Sequence, residues 1–189
     1  MTEARGGSAQ NAEPAGVLAY WRALGPDKWF VRDAEVDVAI RSRYFSTYQS
    51  GMAGELSDWE QTAEGALALI LVLDQFPRNM FRGTARAFAA DPLARGTAAR
   101  AIARRFDCAF ATPERRFFYI PFMHSEDLRD QERCIKLCRE ADDSEGVTHA
   151  EAHADIIRRF GRFPHRNAAL GRTTTPDEQA FLDAGGFAG

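Results

Sequence analysis

Apolar residues recur at helical spacing along most of the chain. Val17, Leu18, Trp21 and Leu24 form one stripe that ends at Gly25-Pro26, a pair that stops helices. Trp29 and Phe30 fall in the connection, and Asp33 is placed to cap a second helix in which Val36, Ile40, Tyr44 and Tyr48 recur until Gly51. Ser57 followed by Glu60 has the capping-box arrangement, and Thr62 can cap the helix that carries Leu67 to Phe76. That helix is apolar on nearly every side, which predicts the most buried position in the fold. Asp91-Pro92 opens a helix containing Leu93, Ala98, Ile102 and Phe106, and Thr112-Pro113-Glu114 gives another cap followed by proline. Ser125 is placed to cap a helix ending near Ala141, and a further helix is predicted from about Val147 to Phe163. Thr175-Pro176-Asp177-Glu178 is a full capping box that starts a last helix ending at Gly185-Gly186.

One segment resists the helical period. Phe117-Phe118-Tyr119-Ile120 has strand propensity, but a lone strand leaves its backbone groups unpaired, so a short helix broken at Pro121 is predicted instead. The fold class is therefore all-α: about eight antiparallel helices in hairpins, with tetratricopeptide-like superhelical packing and no sheet. The repeat consensus itself is not met. Trp21 to Gly25 fit its opening, but Lys28 stands where tyrosine is required, and the later alanine and phenylalanine positions fall on Asp37 and Arg41. Residues 1–13 are small, polar and aperiodic and are expected to form a loose tail, leaving 14–189 as a single domain.

Composition narrows the function classes. A chain of 189 residues that is 45% hydrophobic carries enough apolar material for one core. Its net charge of −3 supplies no basic field for nucleic acid or anionic membrane, so any anion site must be local. The longest apolar run, Ala66 to Leu73, is too short to span a bilayer, and the N-terminus has no secretory apolar segment. Three cysteines without zinc spacing, two of them (Cys134 and Cys138) one helical turn apart, read as reduced packing residues. These features point to the cytoplasm, with no membrane or nucleic-acid partner, no cofactor and no metal.

Of the 24 basic residues, only Lys28 and Lys136 are lysines. Genome composition accounts for much of this bias, yet the planar arginine fork also suits carboxylate and phosphate, so arginine clusters carry information. Residues 73–82 read LDQFPRNMFR and residues 159–172 read RFGRFPHRNAALGR, so Phe-Pro-(His)-Arg-Asn occurs twice. Proline excludes the helical conformation from the residue before it, so helices are expected to stop at Phe76 and Phe163, each followed by a turn that presents Arg and Asn. On a structural reading these residues tie helix ends together. On a functional reading they bind an anion, because converging arginines repel unless a carboxylate or a ligand offsets them. Asp74, Glu126 and Asp127 are internal candidates for that role.

Pro121-Phe122-Met123-His124-Ser125-Glu126-Asp127 adds His124, placed by sequence beside Glu126 as an acid or base near neutral pH. His149 and His153 have the spacing of paired metal ligands, but nothing else fixes that geometry. The candidate ligand-binding set is Asp74, Gln75, Arg78, Asn79, Arg82, His124, Glu126, His153, Arg162, His165, Arg166, Asn167 and Arg172, with His124, Glu126 and His165 the candidates for chemistry. No Walker, Rossmann or serine-hydrolase pattern is present.

These same phrases carry a family resemblance. LDQFPRNMFR, RFFYIPFMHSED with Gln131-Glu132, and HADIIRRFGRFPHRNAALGR with Thr174 to Glu178 downstream resemble the bacterial family filed as domain of unknown function 924, over about Val17 to Phe187. The resemblance implies an all-α fold similar to tetratricopeptide-type hairpins, and no assigned activity. It also implies that Trp29, Phe76, Pro77, Asp91, Ser125, Gln131, Phe160, Gly161, Phe163, Pro164, Leu170 and Gly171 are family motif positions, beside most of the candidate residues named above. His149 falls outside the pattern, which weakens the metal reading. Two functions remain open. One is a pocket for a small anionic metabolite, and the other is a helical module that binds a peptide.

Overall fold

The computed structural model describes residues 11–186, which form helices and turns with no strand among them. Helix α1 (Pro14–Leu24) stops where Gly25 takes a φ of 75°, and the single turn α2 (Pro26–Trp29) folds back beneath it. There the Trp29 indole N–H donates to the Trp21 carbonyl at 2.7 Å and the two rings stack. Helix α3 (Ala34–Met52) begins at Asp33, whose carboxylate accepts from the amides of Glu35 and Val36. Thr62 caps α4 (Ala63–Ile70), and α4 lies between α1 and α6 with Leu67, Ala68 and Ile70 buried, as its all-round apolar pattern predicts. Of the expected tail, residues 1–10 lie outside the described residues. Asn11 and Ala12 are held against α3, by Ser50 at 3.0 Å and the Thr47 hydroxyl at 2.9 Å.

The chain does not stop its central helix at Phe76. It widens into a π-helical turn over Leu71–Gln75 and continues as α5 (Phe76–Met80). In a regular α-helix the Pro77 ring would strike the carbonyl four residues back. Here the Phe76 amide reaches five residues back to the Leu71 carbonyl, and Pro77 enters in the first turn of a new segment where its missing N–H costs nothing. Asp74, Gln75, Arg78 and Asn79 are thus delivered from the end of the most buried helix and not from a loop.

Helix α6 (Asp91–Ala103) starts with Asp91 and Pro92 in its first turn. The aromatic run is a 3₁₀ turn, Glu114–Phe118, followed by the single α-turn α7 (Ile120–Met123), which Pro121 opens and does not break. Three expected caps differ. Ser57 and Glu60 form no capping box, because Glu60 is drawn to Arg100 at 2.6 Å. Pro113, not Thr112, occupies the cap position of its turn. Asp127, not Ser125, caps α8 (Leu128–Glu140), and the Ser125 hydroxyl accepts the Asp127 amide. Asp143 starts α9 at Ser144, earlier than the apolar pattern shows, and α9 (Ser144–Phe160) ends at Gly161 with φ 69°. Phe163 is extended before Pro164, as the proline rule requires. Helices α8 and α9 pack together as a hairpin, an arrangement compatible with tetratricopeptide-like stacking, and Cys134 and Cys138 are fully buried in it.

Helix α10 (Pro176–Asp183) carries the complete capping box between Thr175 and Glu178. Buried Glu178 also accepts from Arg162 at 2.6 and 2.8 Å and from Asn167 at 3.2 Å. Thr175→Ala should therefore cost about 1 kcal/mol, the usual value of a cap, and Glu178→Ala clearly more. Urea unfolding of the two variants checks this, and equal costs would remove the second role of Glu178. No described helix is long and apolar enough to cross a membrane.

Candidate functional site

The buried carboxylate of Asp74, on the π-helical turn, organises one end of the core. It accepts from the Gln75 amide and from His124 Nδ1, the latter at 2.9 Å. One turn on, Arg78 donates to the Asp74 carbonyl at 2.6 Å and forks onto both oxygens of Asp91, at 3.0 and 3.1 Å. Asp91 is shared, since Arg166 approaches its Oδ2 from the other side at 3.5 Å. The Arg166 guanidinium lies over the rings of Phe88 and Phe163, 4.5 and 4.6 Å from their centres. Its side chain is only 7% exposed, and its Nε has no hydrogen-bond partner.

Burial governs the protonation states here. It depresses His124, and Arg78 adds to the effect against the pull of Asp74, leaving that imidazole at about 4. His165 falls to about 3 through burial and then Arg166, and His153 is lowered mainly by burial. Burial pushes Asp74 up, but Arg78 and His124 overcome it and hold the carboxyl at about 2. Arg166 is lowered to about 10 by burial and the neighbouring Arg78, and it stays charged at neutral pH. Near pH 7 the cluster holds three neutral imidazoles, and the charges of Arg78 and Arg166 balance those of Asp74 and Asp91.

The two Phe-Pro-(His)-Arg-Asn phrases do meet, through Asp91, but the expected set divides. Asn79 and Arg82 both bind Asp37 on α3, at 2.8 and 2.9 Å. Arg162 and Asn167 are held by Glu178. Arg172 grips Glu126 at 2.7 and 3.0 Å and the Phe163 carbonyl at 3.0 Å. These five side chains brace helix ends against carboxylates. His124 and Glu126 do not pair as their spacing suggested, because Glu126 is taken by Arg172 and the Phe163 amide while His124 turns to Asp74. Asp127 caps α8 and offsets no arginine of the cluster.

His153 binds the His149 carbonyl at 2.8 Å and packs edge-on to Phe163, whereas His149 stays exposed beside Glu145. Among the described residues, no group of three or more His, Cys, Asp or Glu is placed to hold a metal. Sequence reasoning missed Asp37 and Phe88 as parts of this network, and it marked Asp91 only as a family motif position, not as the carboxylate shared by Arg78 and Arg166. Asp91 had a sufficient local explanation as the first residue of α6, and nothing local shows that it also serves two arginines from distant segments. Two surface hollows lie away from the cluster. One, of about 590 Å³, runs along α3 beside Val38, and one of about 400 Å³ lies between α8 and α9 beside Arg139 and Glu151.

An all-helical domain with this doubled motif has relatives. Residues 17–186 match the family described as bacterial protein of unknown function (DUF924), and the chain belongs to that family. It is also similar to a solved protein of unknown function from Agrobacterium tumefaciens, with 46% identity, a TM-score of 0.87, and 90% of this chain and 97% of that chain covered. No curated protein matches it.

Proposed function

We propose that this protein binds a small oxyanion, the phosphate or carboxylate of a metabolite, at Arg166, with Arg78, His124, His153 and His165 around it and Asp74 and Gln75 setting the floor. The observation that carries this reading is Arg166 itself, a buried guanidinium with one long contact and an unpartnered Nε. A buried donor left unpaired is costly, and the planar fork matches an oxyanion that accepts from Nε and an Nη together. Asn79, Arg82, Glu126, Arg162, Asn167 and Arg172 then act as the braces that hold the two motif turns at this spacing. The site works in the cytoplasm, where the three free cysteines stay reduced. A peptide module would instead use a groove such as the one between α8 and α9, but the Arg139–Glu151 and Arg158–Asp155 pairs there already satisfy the charges a peptide would seek.

A thermal-shift panel of phosphorylated and carboxylated metabolites tests this reading. The wild type should gain melting temperature saturably with at least one anion. Arg166→Ala should lose that response, while its unliganded stability changes by no more than about 1 kcal/mol, since lost ring contacts are offset by relief of repulsion with Arg78. A clear drop in the variant's melting temperature, with no anion ever stabilising the wild type, would leave Arg166 as a helix clamp.

A further inference from the structure

The proposed anion site contains one feature that binding of an anion alone does not need, an acceptor. Asp74 is fully buried and ionised, so its carboxylate can only accept. The hydrogen in its 2.9 Å contact with His124 must therefore sit on Nδ1, which assigns the tautomer from the network. In the neutral ring the other nitrogen, Nε2, is then a lone pair. It makes no hydrogen bond within the described residues and reaches solvent, on a side chain 17% exposed. The charged groups facing this imidazole are Asp74 and Arg78 from the π turn and α5 and Asp91 from α6, with the neutral His165 also near. Arg78 and Arg166 can only donate.

From this arrangement, two guanidinium donors and one fixed imidazole acceptor, we infer that the site selects oxyanions that bring their own hydrogen: hydrogen phosphate, or a 2-hydroxycarboxylate whose hydroxyl donates to His124 Nε2. This rests on the anion reading above and deepens it. Sulfate has the same tetrahedral shape and charge as hydrogen phosphate but no hydrogen near pH 7, so it sets an oxygen lone pair against the Nε2 lone pair. A site built to bond a hydroxyl rejects the analogue that lacks it, because its own polar atom is left facing the wrong group. Asp74 is in this scheme a positioning residue that fixes which ring nitrogen accepts.

Two matched pairs of probes, titrated at pH 7.5 with the whole protein, decide the matter: inorganic phosphate against sulfate, and lactate against propionate. At least one hydrogen-bearing member should bind about tenfold or more tightly than its partner, the effect of one satisfied rather than opposed hydrogen bond. The pair that discriminates tells an inorganic ligand from an organic one. His124→Gln should shrink that ratio toward one. Asp74→Asn should do the same, since an amide can donate to Nδ1 and turn Nε2 into a donor. If either variant fails to fold, the wild-type ratios alone settle the inference. Equal binding within both pairs, or a preference unchanged in both variants, overturns the selectivity while leaving anion binding intact. No binding of any of the four overturns both.

Discussion

Asp91→Ala should lose about 3–5 kcal/mol of unfolding free energy, the usual cost of removing one partner from a buried ion pair. The carboxylate is 11% exposed and, among the described residues, is the one acidic group in contact with both Arg78 and Arg166, so its removal leaves two largely buried guanidinium groups repelling one another. Urea unfolding should show a lower midpoint with an unchanged slope. Inorganic phosphate should also raise the melting temperature of Asp91→Ala more than that of the wild type, because the anion replaces the missing charge. A loss below about 1 kcal/mol would mean that Asp91 does not hold these arginines together.

Stability should fall steeply on mild acidification. His124, His153 and His165 have folded values below the ordinary 6.5, near 4 for His124 and near 3 for His165. As pH drops through 6.5 the unfolded chain takes up protons at these positions while the folded chain does not. The native state loses about 1.4 kcal/mol per pH unit for each such histidine until its folded value is reached. Asp74 has the opposite chemistry but the same direction. Its depressed value contributes stability above the ordinary 3.8 that is lost as pH falls from there toward 2. Denaturant titrations at pH 7.5, 6.5, 5.5 and 4.5 should show the loss beginning near 6.5, in advance of ordinary carboxylate titration. A flat profile down to pH 5 would show that the imidazoles are not held neutral by burial.

The helical period of the apolar positions and the caps at Asp33, Thr62 and Thr175 were enough to read the architecture, because each is a local signal. Pro77 misled for a physical reason. The proline rule assumes regular α-helical spacing, and a π-helical turn relieves the clash without ending the helix. The doubled motif was legible as a cluster of arginines, but which of them are paired was not. Asp37, Asp91 and Glu178 lie tens of residues away or have local roles that look complete in sequence, so the division into braces and a guanidinium with an unpartnered Nε exists only in three dimensions. His124 shows the same limit, since its neighbour in sequence is Glu126 and its partner in space is Asp74, 50 positions earlier.

Calorimetric titration of phosphate and then lactate into the wild type and into Arg166→Ala at pH 7.5 tests the central claim, that Arg166 is an anion receptor, most directly. Saturable binding of at least one of them with a stoichiometry of one per chain, abolished in the variant, is the predicted result. Absence of saturable binding to the wild type, or binding that Arg166→Ala retains undiminished, would contradict it.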